Sequence, residues 1–120
     1  MKGENEMAME LISKYIGKPD EKFFGYERDE SLKDLIHILL DKHRAQLKVS
    51  GVVSVVKWNL AWCLSRSTLQ PADKFAAVIY DGSKNGYLTL QEIEEEGEKT
   101  LGIGLTDKGW KYIDRPGAES

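Results

Sequence analysis

The chain has 120 residues, of which 41% are hydrophobic and 31% charged, and its formal net charge is −3. These values describe an ordinary soluble globular protein with one domain and a core of its own. Its single cysteine, Cys63, excludes a disulfide framework and a cysteine-rich zinc site, and its apolar neighbours predict a buried thiol in a reducing compartment.

The sequence also predicts the cellular compartment of the protein and whether it is bound to a membrane. The longest apolar run, residues 52–64, is interrupted by polar residues and is too short to span a bilayer. The first residues alternate in charge and contain no apolar stretch typical of a signal peptide. We therefore expect a cytoplasmic protein with no membrane partner.

Charge is distributed unevenly along the chain. Residues 42–75 contain 6 basic side chains and 1 acidic one, whereas the segments on either side each carry a net charge of −4. A basic middle between acidic ends is typical of a nucleic-acid footprint. Solvated lysines that happen to cluster would give the same pattern.

The first elements are a short helix and an aromatic loop. Residues 5–16 space their apolar side chains as an amphipathic helix does, and Gly17 with Pro19 predicts its end. The loop that follows contains Phe23, Phe24 and Tyr26. We expect these rings to anchor the loop to the core, with a binding patch as the alternative.

Two further helices are predicted next. Ser31 is the expected N-cap of the first, with Asp34 as the acid of a capping box, and apolar residues at helical spacing continue to Leu47. Residues 52–64 are apolar on nearly every side, which predicts a helix at the centre of the fold. Their valines could instead begin as a strand.

The last third of the chain predicts a helix, a hairpin and a closing helix. The helix begins near Pro71 and ends within residues 81–86, with a buried stripe formed by Ala72, Phe75, Ala76 and Ile79. Residues 87–93 and 101–105 alternate as strands around a glutamate-rich connection that contains Gly97. Thr106 is the expected cap of the closing helix.

Three motifs in this order resemble winged helix-turn-helix proteins. They are Leu64-Ser65-Arg66-Ser67-Thr68, Asn85-Gly86-Tyr87-Leu88 and Leu105-Thr106-Asp107-Lys108-Gly109. The resemblance is to MarR-like, PadR-like and YjcQ-like proteins over residues 64–113. It implies an α+β, mainly helical fold: an N-terminal helical segment at 1–30, a winged-helix core with a two-stranded wing at 31–113, and a flexible tail at 114–120.

The resemblance also implies a function. In such a fold a recognition helix enters the major groove of DNA, and flanking basic side chains contact phosphates. The residues implied are Arg66, Ser67, Thr68, Gln70, Lys74 and Lys57. The protein would then be a small bacterial or phage regulator of transcription that binds DNA and dimerises through its N-terminal helix.

The glutamates of the predicted wing suggest a different partner. Four glutamates between residues 93 and 98 would be repelled by phosphates. Because winged helices also serve as protein–protein interaction modules, an acidic wing predicts a basic partner protein as the alternative to DNA.

The segment 81–92, DGSKNGYLTLQE, also resembles a single EF-hand loop. Under this hypothesis the Ca²⁺ ligands are Asp81, Ser83, Asn85, the carbonyl of Tyr87 and Glu92, with Gly86 at the sharp turn. Only two of these ligands are carboxylates, so the predicted affinity is low. A helix after residue 92 would favour this hypothesis, whereas a strand and a turn would favour the wing.

No motif in the sequence predicts catalysis. Phosphate-binding glycine loops, nucleophile elbows and paired metal-binding histidines are not found in it. We therefore predict that the protein is not an enzyme and needs no cofactor, Ca²⁺ being the one alternative.

Overall fold

The computed structural model describes residues 4–24, 28–66 and 71–113. Five α-helices and three β-strands follow one another along these segments. The helices are α1 (Glu4–Tyr15), α2 (Arg28–Ser50), α3 (Val55–Arg66), α4 (Ala72–Lys84) and α5 (Asp107–Ile113). The strands are β1 (Val53–Ser54), β2 (Leu88–Glu95) and β3 (Glu98–Leu105), and one 3₁₀ turn, Glu21–Phe23, precedes α2. The fold is therefore α+β and mainly helical, as predicted.

The three strands form one antiparallel sheet in the order β1-β3-β2. The sheet has one strand more than predicted, because β3 pairs with β2 on one side and with the short β1 on the other. Gly104 makes the β1 pairing possible, since a Cβ at this position would lie 2.1 Å from the carbonyl oxygen of Gly51. The valine run thus begins as a strand and continues as helix α3, which unites the two alternatives left by the sequence.

The hairpin between β2 and β3 closes with a two-residue turn. Glu95 pairs with Glu98, so Glu96 and Gly97 are the turn residues. Both have positive φ, 54° and 81° respectively, as a type I′ turn requires. The predicted connection is therefore in the right place but too long, because Glu94 and Glu95 extend β2 and residues 98–100 begin β3. Its glycine occupies a turn position that needs positive φ, which glycine adopts without strain.

The core lies between the helices and one face of the sheet. Its largest fully buried side chains include Trp58 and Trp62 of α3 and Phe75 of α4. The indole Nε1 of Trp58 donates a hydrogen bond to the carbonyl oxygen of Ile103 at 3.2 Å, which joins α3 to the central strand. From β3, Leu101 and Ile103 are fully buried and Leu105 packs at the edge of the core, as predicted.

The ends of two helices test the capping predictions. Gly109 N donates to the hydroxyl oxygen of Thr106 at 3.0 Å, so Thr106 caps α5 as predicted. The capping box at Ser31 is wrong, because α2 begins at Arg28 and Ser31 already lies inside its first turns. Arg28, Asp29 and Glu30 extend the helix because nothing in this polar segment stops it. The predicted tail, residues 114–120, lies outside the described part of the chain.

Candidate interaction surfaces

The residues predicted to contact DNA do not form one described cluster. Ser67, Thr68 and Gln70 lie outside the described residues, as does the side chain of Arg66 at the end of α3. Lys57 lies near the start of α3, where its Nζ is 3.3 Å from Oε1 of Gln46. Lys74 lies in the first turn of α4, with its Nζ 5.9 Å from the centre of the Phe23 ring. The two lysines thus have different neighbours on different helices.

Helix α4 is enclosed on nearly all sides over its central turn. All five residues from Phe75 to Ile79 are buried. Phe75 and Ile79 face the core, whereas Ala77, two residues from each, lies on the opposite side of the helix and is nevertheless 0% exposed. The prediction of a single buried stripe is therefore too narrow, and its first member, Ala72, is exposed.

The N-terminal segment is among the elements that enclose α4, together with α2 and β2. Helix α1 packs against α4, β2 and β3, with Ile12 fully buried. The 3₁₀ turn also packs against α4, and the ring of Phe24 lies 5.2 Å from that of Tyr80. Phe24 thus anchors the aromatic loop as predicted, while Tyr26 lies outside the described residues.

A polar contact at the end of α1 links this segment to the hairpin. Lys14 Nζ lies 2.8 Å from Oε2 of Glu92 on β2, and the hydroxyl of Tyr15 donates to the same carboxylate oxygen. The hydrogen bond from Lys14, followed by that from Tyr15, lowers the pKa of Glu92 from its ordinary value. The same contact with Glu92 raises the pKa of Lys14. This glutamate is therefore committed to a contact within the chain.

The tip of the hairpin is acidic and open to solvent. Glu94, Glu96 and Glu98 are exposed and Glu95 is half-buried. Within the described part of the chain none of these four carboxylates forms an ion pair. Glu94 stands opposite Lys99 in the strand register, so the tip retains an excess of negative charge.

Several exposed basic side chains are carried by α2. Lys42, Arg44 and Lys48 are exposed on the C-terminal half of α2. His43 between them has non-helical backbone angles and kinks the helix. Burial, followed by the positive charges of Lys57 and Lys42, lowers the pKa of His43, which places Lys57 of α3 in the same positive field.

Helix α3 has an apolar face that points to solvent. Val56, Leu60 and Leu64 are 67%, 58% and 55% exposed. They recur at every fourth residue and so form one stripe. The sequence predicted a helix buried on every side, which is wrong for this face. Cys63 beside the stripe is half-buried rather than buried, with its Sγ 3.7 Å from Oδ1 of Asn59.

The residues of the predicted Ca²⁺ loop are divided between three elements. Asp81 and Ser83 lie inside α4, Asn85 ends that helix, and Glu92 lies on β2 in contact with Lys14. Asp81 is 4% exposed. Residues 93–101 form the end of β2, the turn and the start of β3. A strand and a turn therefore stand where an EF-hand has its second helix, and this arrangement favours the hairpin over the Ca²⁺ loop.

Other kinds of site have little support among the described residues. In segments 4–24, 28–66 and 71–113, no three His, Cys, Asp or Glu side chains are placed to hold a metal ion together. No helix in the same segments is both long and apolar enough to cross a membrane. Comparison with known protein families, with curated proteins and with solved structures found no match to this chain.

Proposed function

We propose that this chain is a winged-helix interaction module that regulates a basic partner protein through its acidic hairpin. The order α2-β1-α3-α4-β2-β3 supports the winged-helix assignment. In that assignment α3 and α4 are the helix-turn-helix pair and the β2–β3 hairpin is the wing. The sheet order β1-β3-β2 also supports it. In this order β1 pairs with β3, the second strand of the wing, and β2 is left at the edge of the sheet.

The burial of α4 is the observation that carries the proposal. A helix that reads DNA must present polar side chains to base edges in the major groove. Here the central turn of α4 has no exposed residue, and Ala77 on its outer side is completely covered. Since α1 and the 3₁₀ turn pack against this helix, DNA insertion would first require them to leave.

The charge and the regular strand pairing of the hairpin both favour a basic protein as its binding partner. Four glutamates at positions 94, 95, 96 and 98 would repel a phosphate backbone and attract lysine and arginine side chains. Every residue of β2 from Leu88 to Glu95 is in register with β3, and the turn has only two residues. The backbone that carries these glutamates is therefore fixed by the strand pairing, so that less backbone ordering entropy is lost on binding.

DNA is the second candidate partner, favoured by the exposed basic residues Lys42, Arg44 and Lys48 on α2. These side chains lie on a different helix from α4. Binding through them alone would contact the phosphate backbone and would therefore be insensitive to base sequence.

A pair of titrations separates the two candidates. A fluorescent lysine- and arginine-rich peptide and a fluorescent mixed-sequence DNA duplex are each titrated with the protein at low and at physiological salt. We expect the peptide to bind, with an affinity that falls as salt rises, and the duplex not to bind even at low salt.

Two matched variants locate the binding surface. The hairpin variant E94Q/E96Q/E98Q should lose peptide binding, whereas the helix variant K42Q/R44Q/K48Q should keep it. Duplex binding that is lost in the helix variant would overturn the proposal in favour of DNA. Peptide binding that survives in the hairpin variant would show that the hairpin is not the site.

A further inference from the structure

The outward face of α3 is the largest apolar feature that the proposed function leaves unused. Three of the five large hydrophobic side chains that are exposed in the described residues lie on it: Val56, Leu60 and Leu64. The opposite side of the same helix supplies Trp58 and Trp62 to the core, so α3 is anchored without the stripe. A contiguous exposed stripe, unlike a single exposed leucine, marks an interaction site.

A groove lies beside the stripe. Val56 contributes both to the stripe and to a cavity of about 200 Å³ that is also lined by Tyr15, Ile16, Ala72 and Phe75. The cavity lies where α1, α3 and α4 meet. Apart from Asn59 its lining is aromatic and aliphatic, which suits an apolar side chain that anchors a partner helix lying along Val56, Leu60 and Leu64.

The charge around α3 indicates what the partner carries. Residues 42–72 contain five basic side chains and no Asp or Glu. One of them, Lys57, is next in sequence to Val56, and its charge reaches His43 on α2. A second copy of this chain would bring a second set of the same cations to the stripe, and like charges oppose that pairing. A segment with carboxylates beside its apolar residues complements the surface instead.

We infer that the outward face of α3 docks an amphipathic helix of a partner protein whose apolar stripe is flanked by aspartate or glutamate. This site is separate from the acidic hairpin and selects the opposite charge. The module then has two binding surfaces of opposite sign, one for a basic partner and one for an acidic, apolar helix.

Two designed peptides test the inference. Both are fluorescent helical peptides with leucines at helical spacing; one carries glutamates beside the leucines and the other carries lysines at the same positions. The peptides are titrated into the hairpin variant E94Q/E96Q/E98Q, because the acidic hairpin of the unaltered chain would itself bind the lysine peptide. Fluorescence anisotropy should show that the glutamate peptide binds this variant with an affinity that falls with salt, while the lysine peptide does not bind it.

Variants of residues outside the core assign the site: Leu60 and Met7 are exposed, and Lys57 is half-buried. L60E should weaken binding of the glutamate peptide by at least about tenfold, as expected for a central interface leucine. K57E should weaken it as well and should improve binding of the lysine peptide. M7E changes another exposed hydrophobic residue, on α1, and should leave both affinities unchanged. The hairpin variant E94Q/E96Q/E98Q should also keep the glutamate peptide, which separates this inference from the proposed function.

Three results would overturn the inference. Equal binding of both peptides to the hairpin variant would mean that the stripe binds apolar helices without regard to charge. Binding of neither peptide would mean that the stripe is not a helix-docking site. Light scattering that shows a dimer of the wild-type chain and a monomer of L60E would assign the face to a second copy.

Discussion

The burial of Ala77 can be tested directly by enlarging this side chain. Ala77 is 0% exposed although it lies on the side of α4 away from Phe75 and Ile79. Replacing it with leucine adds three carbon atoms at a fully buried position. Overpacking of this kind costs about 1–3 kcal/mol, which for a domain of this size lowers the melting temperature by about 4 °C per kcal/mol.

Ala72 provides the matched control. It lies on the same helix and is exposed, so Ala72→Leu should change the free energy of unfolding by no more than about 0.5 kcal/mol. Thermal unfolding followed by circular dichroism would compare the two variants with the wild type. If Ala77→Leu has the same melting temperature as Ala72→Leu and the wild type, the outer side of α4 is open. Insertion of this helix into a DNA groove would then be physically feasible.

Four further outcomes are expected. Thr106→Ala should lower the free energy of unfolding in urea by about 1 kcal/mol because α5 loses its cap, whereas Thr106→Ser should not. Trp58→Phe should cost about 1–3 kcal/mol in the same assay, since the buried carbonyl of Ile103 loses a donor. NMR titration should give Glu92 a pKa below its ordinary value, and Lys14→Ala should raise that pKa. Because the folded-state pKa is lowered, the stabilisation by Glu92 is present above its ordinary pKa and lost as pH falls through the folded value. Millimolar Ca²⁺ should leave the melting temperature unchanged, since the predicted loop is divided between α4 and β2; a rise would restore the Ca²⁺ hypothesis.

Local signals in the sequence were sufficient to predict the hairpin and the closing helix. The alternation of Leu101, Ile103 and Leu105 gives the buried face of β3, because side chains on a strand alternate between its two faces. Gly97 predicts the turn because both central residues of a type I′ turn need positive φ, which glycine adopts readily. Thr106 predicts the start of α5 through its own hydroxyl. Each of these features depends on neighbours only a few residues away.

The covered and open sides of α3 and α4 could not be predicted in the same way. Hydrophobic periodicity identifies a buried face only where the other side of the helix is polar. Helix α3 is apolar all round, so the sequence gives no reason for Trp58 to be buried and Leu60 to be exposed. Periodicity places Ala77 on the side of α4 away from Phe75 and Ile79, and its burial follows from tertiary contacts of α4 that the local sequence does not reveal. These outcomes are set by tertiary contacts, and both candidate surfaces depend on them.

The position of β2 in the sheet gives its glutamates a second consequence. In the order β1-β3-β2 this strand is at the edge of the sheet formed by the described residues, so its outer backbone groups can pair with a strand of another molecule. Glu94 and Glu95 bring negative charge to the strand, and two copies aligned edge to edge would repel each other. Neutralising these residues should therefore also promote aggregation. The charge that we assign to partner binding thus also keeps the hairpin from joining copies of itself into an extended sheet.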